Sequence, residues 1–129
     1  RGRTEDALAH FDAGLRVMRD LGDRRHEGQF LGYVGRTRAR QRQYELAREC
    51  FAAAHTLLSE VSDALSLGIL LCDLATCEWH AGEAVAAQRA LEEARAMSDV
   101  TGAGPDSELG QSLAQAQALL GQRQNLQAI

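Results

Sequence analysis

Asp73, Cys77 and His80 stand at positions i, i+4 and i+7. A helix would set this carboxylate, thiol and imidazole on one face, and all three are ligand types that zinc accepts. No fourth ligand is evident and such triplets arise by chance on helices, so each residue also has an ordinary core or surface reading and no metal is expected. Arg36 and Arg40 lie four apart and share a helical face, with Arg38 and Arg42 beside them. Guanidinium groups in this arrangement can grip carboxylates or phosphates through paired N–H bonds. The competing reading is a solvated charged face that pairs with acids such as Asp73 or Glu78. Trp79 is the one tryptophan; it is either an aromatic anchor in a groove or ordinary core. His10, His26 and His55 have no evident partners in the sequence.

Catalytic patterns are missing from the sequence. It has no glycine-rich phosphate loop, HExxH, nucleophile elbow or paired Glu-x-x-His. The chain therefore reads as non-enzymatic and without a cofactor.

The 129 residues suffice for one ordinary domain, and 45% hydrophobic with 25% charged content argues against disorder. No apolar run approaches the ~18–20 residues of a membrane span, and no signal-peptide pattern opens the chain. It begins at Arg1 rather than methionine, and reads as a piece of a longer protein or a processed chain. Three cysteines, an odd number without a CxxC pair, favour a reducing compartment, so the expected location is cytoplasmic.

The net charge of −4 is unevenly divided. Residues 1–50 carry 11 arginines and 8 acids, a net of +3; residues 51–129 carry 3 and 10, a net of −7. Lysine is absent. The arginines of residues 24–42 are the one candidate for a nucleic-acid stripe, and the overall acidity counts against it.

These residues are positioned by a helical repeat. Ala47, Phe51 and Ala54 have counterparts 40 residues earlier in Ala7, Phe11 and Gly14, and 40 later in Ala87, Leu91 and Ala94. A second series pairs Val34-Gly35 with Leu74-Ala75 at a step of 40, then with Leu113-Ala114 at a step of 39. Between them run six segments with apolar residues at helical spacing, about Thr4–Asp20, Arg24–Gln41, Tyr44–Glu60, 63–80, Ala84–Ser98 and 107–120. Thr4 is the expected cap of the first, and the fourth, apolar on more than one face, is expected to be the most buried. Gly35 marks a close helix approach, with Gly28 and Gly68 as candidates for the same role; Gly32 has no such reason. The polar tail 122–129 fits the repeat poorly and reads as frayed or as a short seventh segment. A period near 40 built from helices is the mark of an all-α solenoid of antiparallel helix pairs.

Gly35, Tyr44, Ala47, Phe51 and Ala54, with Arg42 at the turn, resemble the tetratricopeptide repeat in its long-period bacterial form. Ala75, Gly82, Ala87, Leu91 and Ala94 resemble its next copy, with Ala84 in place of the aromatic. The resemblance divides the chain into a half-repeat 4–21, repeats 22–61 and 62–101, a half-repeat 104–121 and the tail. It implies a right-handed superhelix whose first helices line a concave groove. The groove positions so implied are Gln29, Arg36 and Arg40, then Cys72, Thr76, Trp79 and His80, then Gln111 and Gln115. Gly32, Ala39, Ile69 and Glu108 fall on the same faces.

The expected function is a protein-interaction module within a larger regulatory or signalling protein, holding a peptide or partner domain of acidic character. The alternative is a structural spacer or a self-association element. In that reading open solenoid ends supply apolar surface, and the basic and acidic parts favour head-to-tail contact.

Overall fold

The computed structural model describes the backbone of residues 2–128 and the side chains of residues 3 and 5–122. The chain divides after Asp63 into two compact units of three helices each. The first unit holds α1 (Gly2–Leu21), α2 (Arg24–Arg40) and α3 (Tyr44–Glu60); the second holds α4 (Ala64–His80), α5 (Ala84–Thr101) and α6 (Glu108–Ala128). No strand occurs among the described residues.

The 40-residue period is twice a 20-residue step. The helices α2, α3 and α4 are each 17 residues long and each is followed by a three-residue turn. At every turn one residue takes left-handed backbone: Gly22 at φ 71°, Arg42 at 63°, Ser62 at 56°, Gly82 at 83° and Gly102 at 67°. After this residue the next N–H reaches back to an orphan carbonyl of the finished helix. Asp23 N–H donates to Met18 O at 2.8 Å, Gln43 to Arg38 at 3.0 Å, Asp63 to Leu58 at 3.0 Å and Glu83 to Glu78 at 2.8 Å. Asp23, Gln43 and Glu83 then cap the following helix. Of these, Asp23 caps with its side chain, accepting from the His26 N–H at 3.2 Å.

In the first unit α2 and α3 pack through glycine. A Cβ on Gly28 would stand 2.9 Å from Leu58 Cγ, and one on Gly35 would stand 2.8 Å from Phe51 Cε1. Advancing along α2 means retreating along α3, so the two helices are antiparallel. Ala47, Phe51 and Ala54 are buried between them. The ion pairs Arg24–Glu60 and Arg25–Asp63 close one end. On its other side α2 meets α1, where Phe30 lies against Gly14 and Phe11 packs with Phe30 and Tyr33.

In the second unit α4 has eight buried residues, more than α2, α3 or α5, as its all-round apolar pattern predicts. Gly68 admits Leu109 of α6, whose Cδ1 would be 2.8 Å from a Cβ there, together with Met97 of α5. Ala75, Ala87, Leu91 and Ala94 are buried as the repeat requires. The loop after α5 ends at Ser107, whose Oγ donates to Gly104 O at 2.6 Å and accepts from the Gly110 N–H at 3.0 Å.

The boundaries differ from the sequence reading at three places. Helix α1 begins at Gly2, so Thr4 lies within the first turn and is not its cap. Helix α5 runs on to Thr101, where Gly102 supplies the left-handed stop. Helix α6 continues through Gly121 to Ala128 as one element, neither fraying after Leu120 nor restarting; residue 129 lies outside the described residues. Gln122, Gln124, Leu126, Gln127 and Ala128 are good helix formers, and among the described residues nothing lies within 4 Å of a Cβ on Gly121.

Candidate functional site

Gln29, Arg36 and Arg40 share α2 at spacings of seven and four, so they occupy one face. Gln29 and Arg36 are half-buried and Arg40 is exposed. Tyr33 stands between them on the same face, 44% exposed. The Arg36 guanidinium carbon lies 5.3 Å from the centroid of the Tyr33 ring, where the ring's negative face attracts a cation. Tyr33 in turn stacks on Phe11 at 5.8 Å between centroids and meets Phe30 edge-on at 6.5 Å. The result is a partly exposed aromatic cluster between α1 and α2 with a guanidinium over one ring.

Several neighbouring arginines are engaged within this unit. Arg25 pairs with Asp63, Arg24 with Glu60, and Arg38 donates to the Gln43 side chain at 2.9 Å. Arg42 is exposed on the turn. Part of the basic run is therefore a paired structural face, while Arg36 and Arg40 lie on the face shared with Tyr33.

In the second unit, Thr76 and Trp79 are half-buried on α4 and His80 is exposed at its end. Thr76 Oγ1 donates to the Cys72 carbonyl at 3.0 Å, one turn back. Cys72 is only 3% exposed, and burial pushes its thiol up to about 12. Gln111 and Gln115 are exposed on α6, and Gln111 Nε2 donates to the Asp106 carbonyl at 3.2 Å.

Asp73, Cys77 and His80 do not share one environment. Cys77 is buried, Asp73 half-buried and His80 exposed. Among the described residues no group of three or more His, Cys, Asp or Glu is placed to hold a metal ion, and no helix is long and apolar enough to cross a membrane. A hollow of about 250 Å³ beside Asp6, Ala9 and His10 on α1 includes none of the expected groove residues.

Sequence reasoning missed Tyr33 and the part played by Phe11 and Phe30. The signal was present: Phe30, Tyr33 and Arg36 follow one another at steps of three, which stacks their side chains along one helix flank. No family model, curated protein or solved structure matches this chain.

Proposed function

We propose that the chain is a non-enzymatic protein-interaction module of tetratricopeptide type, part of a larger cytoplasmic regulatory or signalling protein. It binds an acidic peptide or partner segment through the polar faces of the first helices of its pairs. The observation that carries this reading is Arg36 over the half-exposed Tyr33 ring, with Arg40 one turn on. Aromatic and arginine side chains dominate binding energy at protein interfaces. A guanidinium over a ring is pre-positioned, so less side-chain freedom is lost when a carboxylate arrives. In the second unit the binding face would draw on Thr76, Trp79 and His80 of α4 and on Gln111 and Gln115 of α6, while Cys72 is buried.

The test is selection from a library of displayed random peptides against the intact chain. Selected sequences should be enriched in Asp and Glu. Arg36→Glu with Arg40→Glu should weaken them by about tenfold or more, as reversal of charge at an interface does. Trp79→Ala should weaken those that also engage the second unit. Binders without acidic excess, or binders that ignore both arginines, would overturn the reading.

A further inference from the structure

The helix pairs α2–α3 and α4–α5 share one register. Leu57 Cβ lies 3.3 Å from the place of a Cβ on Gly28, and Met97 Cβ lies 3.2 Å from that of one on Gly68. Leu57 and Met97 are 40 residues apart, as are the two glycines, so position matches position between the pairs. In the first pair Arg24–Glu60 and Arg25–Asp63 close the end where α2 begins and α3 stops. Their counterparts 40 residues on are Ala64 and Val100, and Leu65 and Ala103. An apolar residue stands in place of every charged one.

The apolar set stays open to solvent. Leu65 is 49% exposed and Val100 is 72% exposed, while Ala64 and Ala103 are half-buried. Because Met97 faces Gly68, Leu65 and Val100 stand level, each about one turn further toward the same end of the pair. Single exposed apolar side chains are ordinary, but a cluster rimmed by polar groups marks an interaction surface. Here the rim has one sign. Residues 96–110 include the exposed acids Asp99, Asp106 and Glu108 and no arginine, lysine or histidine. Residues 64–72 carry no charge. Asp99 adjoins Val100, and Glu108 adjoins Leu109, the residue seated at Gly68 one turn from Leu65.

We propose that this end of the second unit docks a basic, amphipathic segment of a partner protein. Its apolar side chains seat on Leu65 and Val100, and its Lys or Arg residues meet Asp99, Asp106 and Glu108. Charge complementarity selects this occupant: an acidic segment would meet carboxylates of its own sign, and so would a second copy presenting the same face. The surface is distinct from the arginine face of α2. It is also removed from Trp79, since Leu65 stands ~20 Å away along α4 at the helical rise per residue. The proposal therefore does not rest on the acidic-peptide site.

The test is selection of displayed random peptides on the intact chain, with counter-selection against the double variant Ala64→Arg, Val100→Glu. That variant installs the counterpart of the Arg24–Glu60 pair and leaves the net charge unchanged, so it should keep the wild-type circular dichroism. Peptides held by the wild type and released by the variant should be rich in Lys or Arg beside Leu, Ile or Phe. Their affinity should fall about tenfold or more in the variant. A second double variant, Asp99→Asn with Glu108→Gln, alters exposed residues only and tests the rim independently: it should weaken the same peptides and flatten their salt dependence. Acidic peptides bound at the arginine face should hold all three proteins alike, so the two sites are read separately. Failure to recover any peptide that discriminates wild type from the first variant would overturn the proposal. So would discriminating peptides without a basic excess, or affinity indifferent to the rim variant. Sedimentation velocity in which the wild type gains mass with concentration and the first variant does not would also overturn it, since a second copy would then hold the surface.

Discussion

Phe51 occupies the space that a side chain at Gly35 would need. A Cβ there would stand 2.8 Å from ring carbon Cε1, and the ring is 1% exposed and cannot swing into solvent. Gly35→Ala would gain up to ~1 kcal/mol of helix propensity but would force α2 and α3 apart, an overpacking that costs about 1–3 kcal/mol. A net loss of about 1 kcal/mol is expected, read from urea unfolding. Gly121→Ala is the control. It lies in a helix where none of the described residues comes within 4 Å of its Cβ, so it should raise stability by up to ~1 kcal/mol. Equal and opposite signs at two helical glycines would show that packing, not backbone propensity, holds glycine at position 35.

Two turns carry left-handed backbone on residues with a Cβ. Arg42 and Ser62 stand at φ 63° and 56°, where the matching turns use Gly22, Gly82 and Gly102. Left-handed backbone costs a residue with a Cβ roughly 1–2 kcal/mol, part of which glycine's freer unfolded chain offsets. Arg42→Gly and Ser62→Gly should therefore each stabilise the chain by about 0.5–1 kcal/mol. Gly82→Ala should destabilise it by a similar amount. Thermal unfolding of the three variants decides the matter; a Gly82→Ala protein as stable as wild type would sink the argument.

Much of the helical arrangement is legible in the sequence because it depends on local rules. Ala47, Phe51 and Ala54 repeat at a fixed interval since the same helix crossing must be filled each time, and Gly82 marks a turn because glycine takes positive φ without strain. Where a boundary depends on geometry rather than residue type, the signal weakens. Arg42 gives no warning of left-handed backbone, which the tight turn between α2 and α3 imposes on it. Thr4 looks like a cap, yet the helix starts ahead of it. The tail looks like a break because it lacks apolar periodicity, but its residues are good helix formers and the helix persists. At the candidate site the arginine spacing was legible, and so was the three-residue step from Tyr33 to Arg36; the partial exposure of the Tyr33 ring was not, because it is set by how α1 and α2 meet.

The N-terminus of α2 should show acid-dependent stability. The Asp23 carboxyl is held below its ordinary value, first by the His26 backbone N–H that it accepts, then by the His26 side chain, with burial acting in the opposite sense. A carboxyl whose folded value is lowered contributes stability above its unfolded value, about pH 3.9, and loses it as pH falls through the folded value. Asp23→Ala should lower the melting temperature at pH 7 and reduce the loss on acidification. If the two proteins differ by the same amount at pH 7 and pH 2.5, the cap is not acting through its charge.

The cysteines should differ in reactivity according to depth. All three are thiols. Burial pushes Cys72 up to about 12, with the neighbouring Asp73 carboxylate acting in the same sense. At pH 8 its thiolate fraction would be about one in ten thousand, and the buried sulfur also excludes reagent. Cys50 is half-buried and its thiol is raised mainly by burial, partly opposed by Arg38. Iodoacetamide at pH 8 should modify Cys50 slowly and Cys72 hardly at all in the folded chain, and both readily in urea, as peptide mass spectrometry would show. The same shift has a sign for stability: a thiol raised by folding leaves the chain unaffected below its unfolded value, about 8.5, and weakens it as pH climbs toward 12. Cys72→Ala should flatten that alkaline loss. Rapid labelling of Cys72 in the folded chain would mean that α4 opens locally far more often than its burial implies.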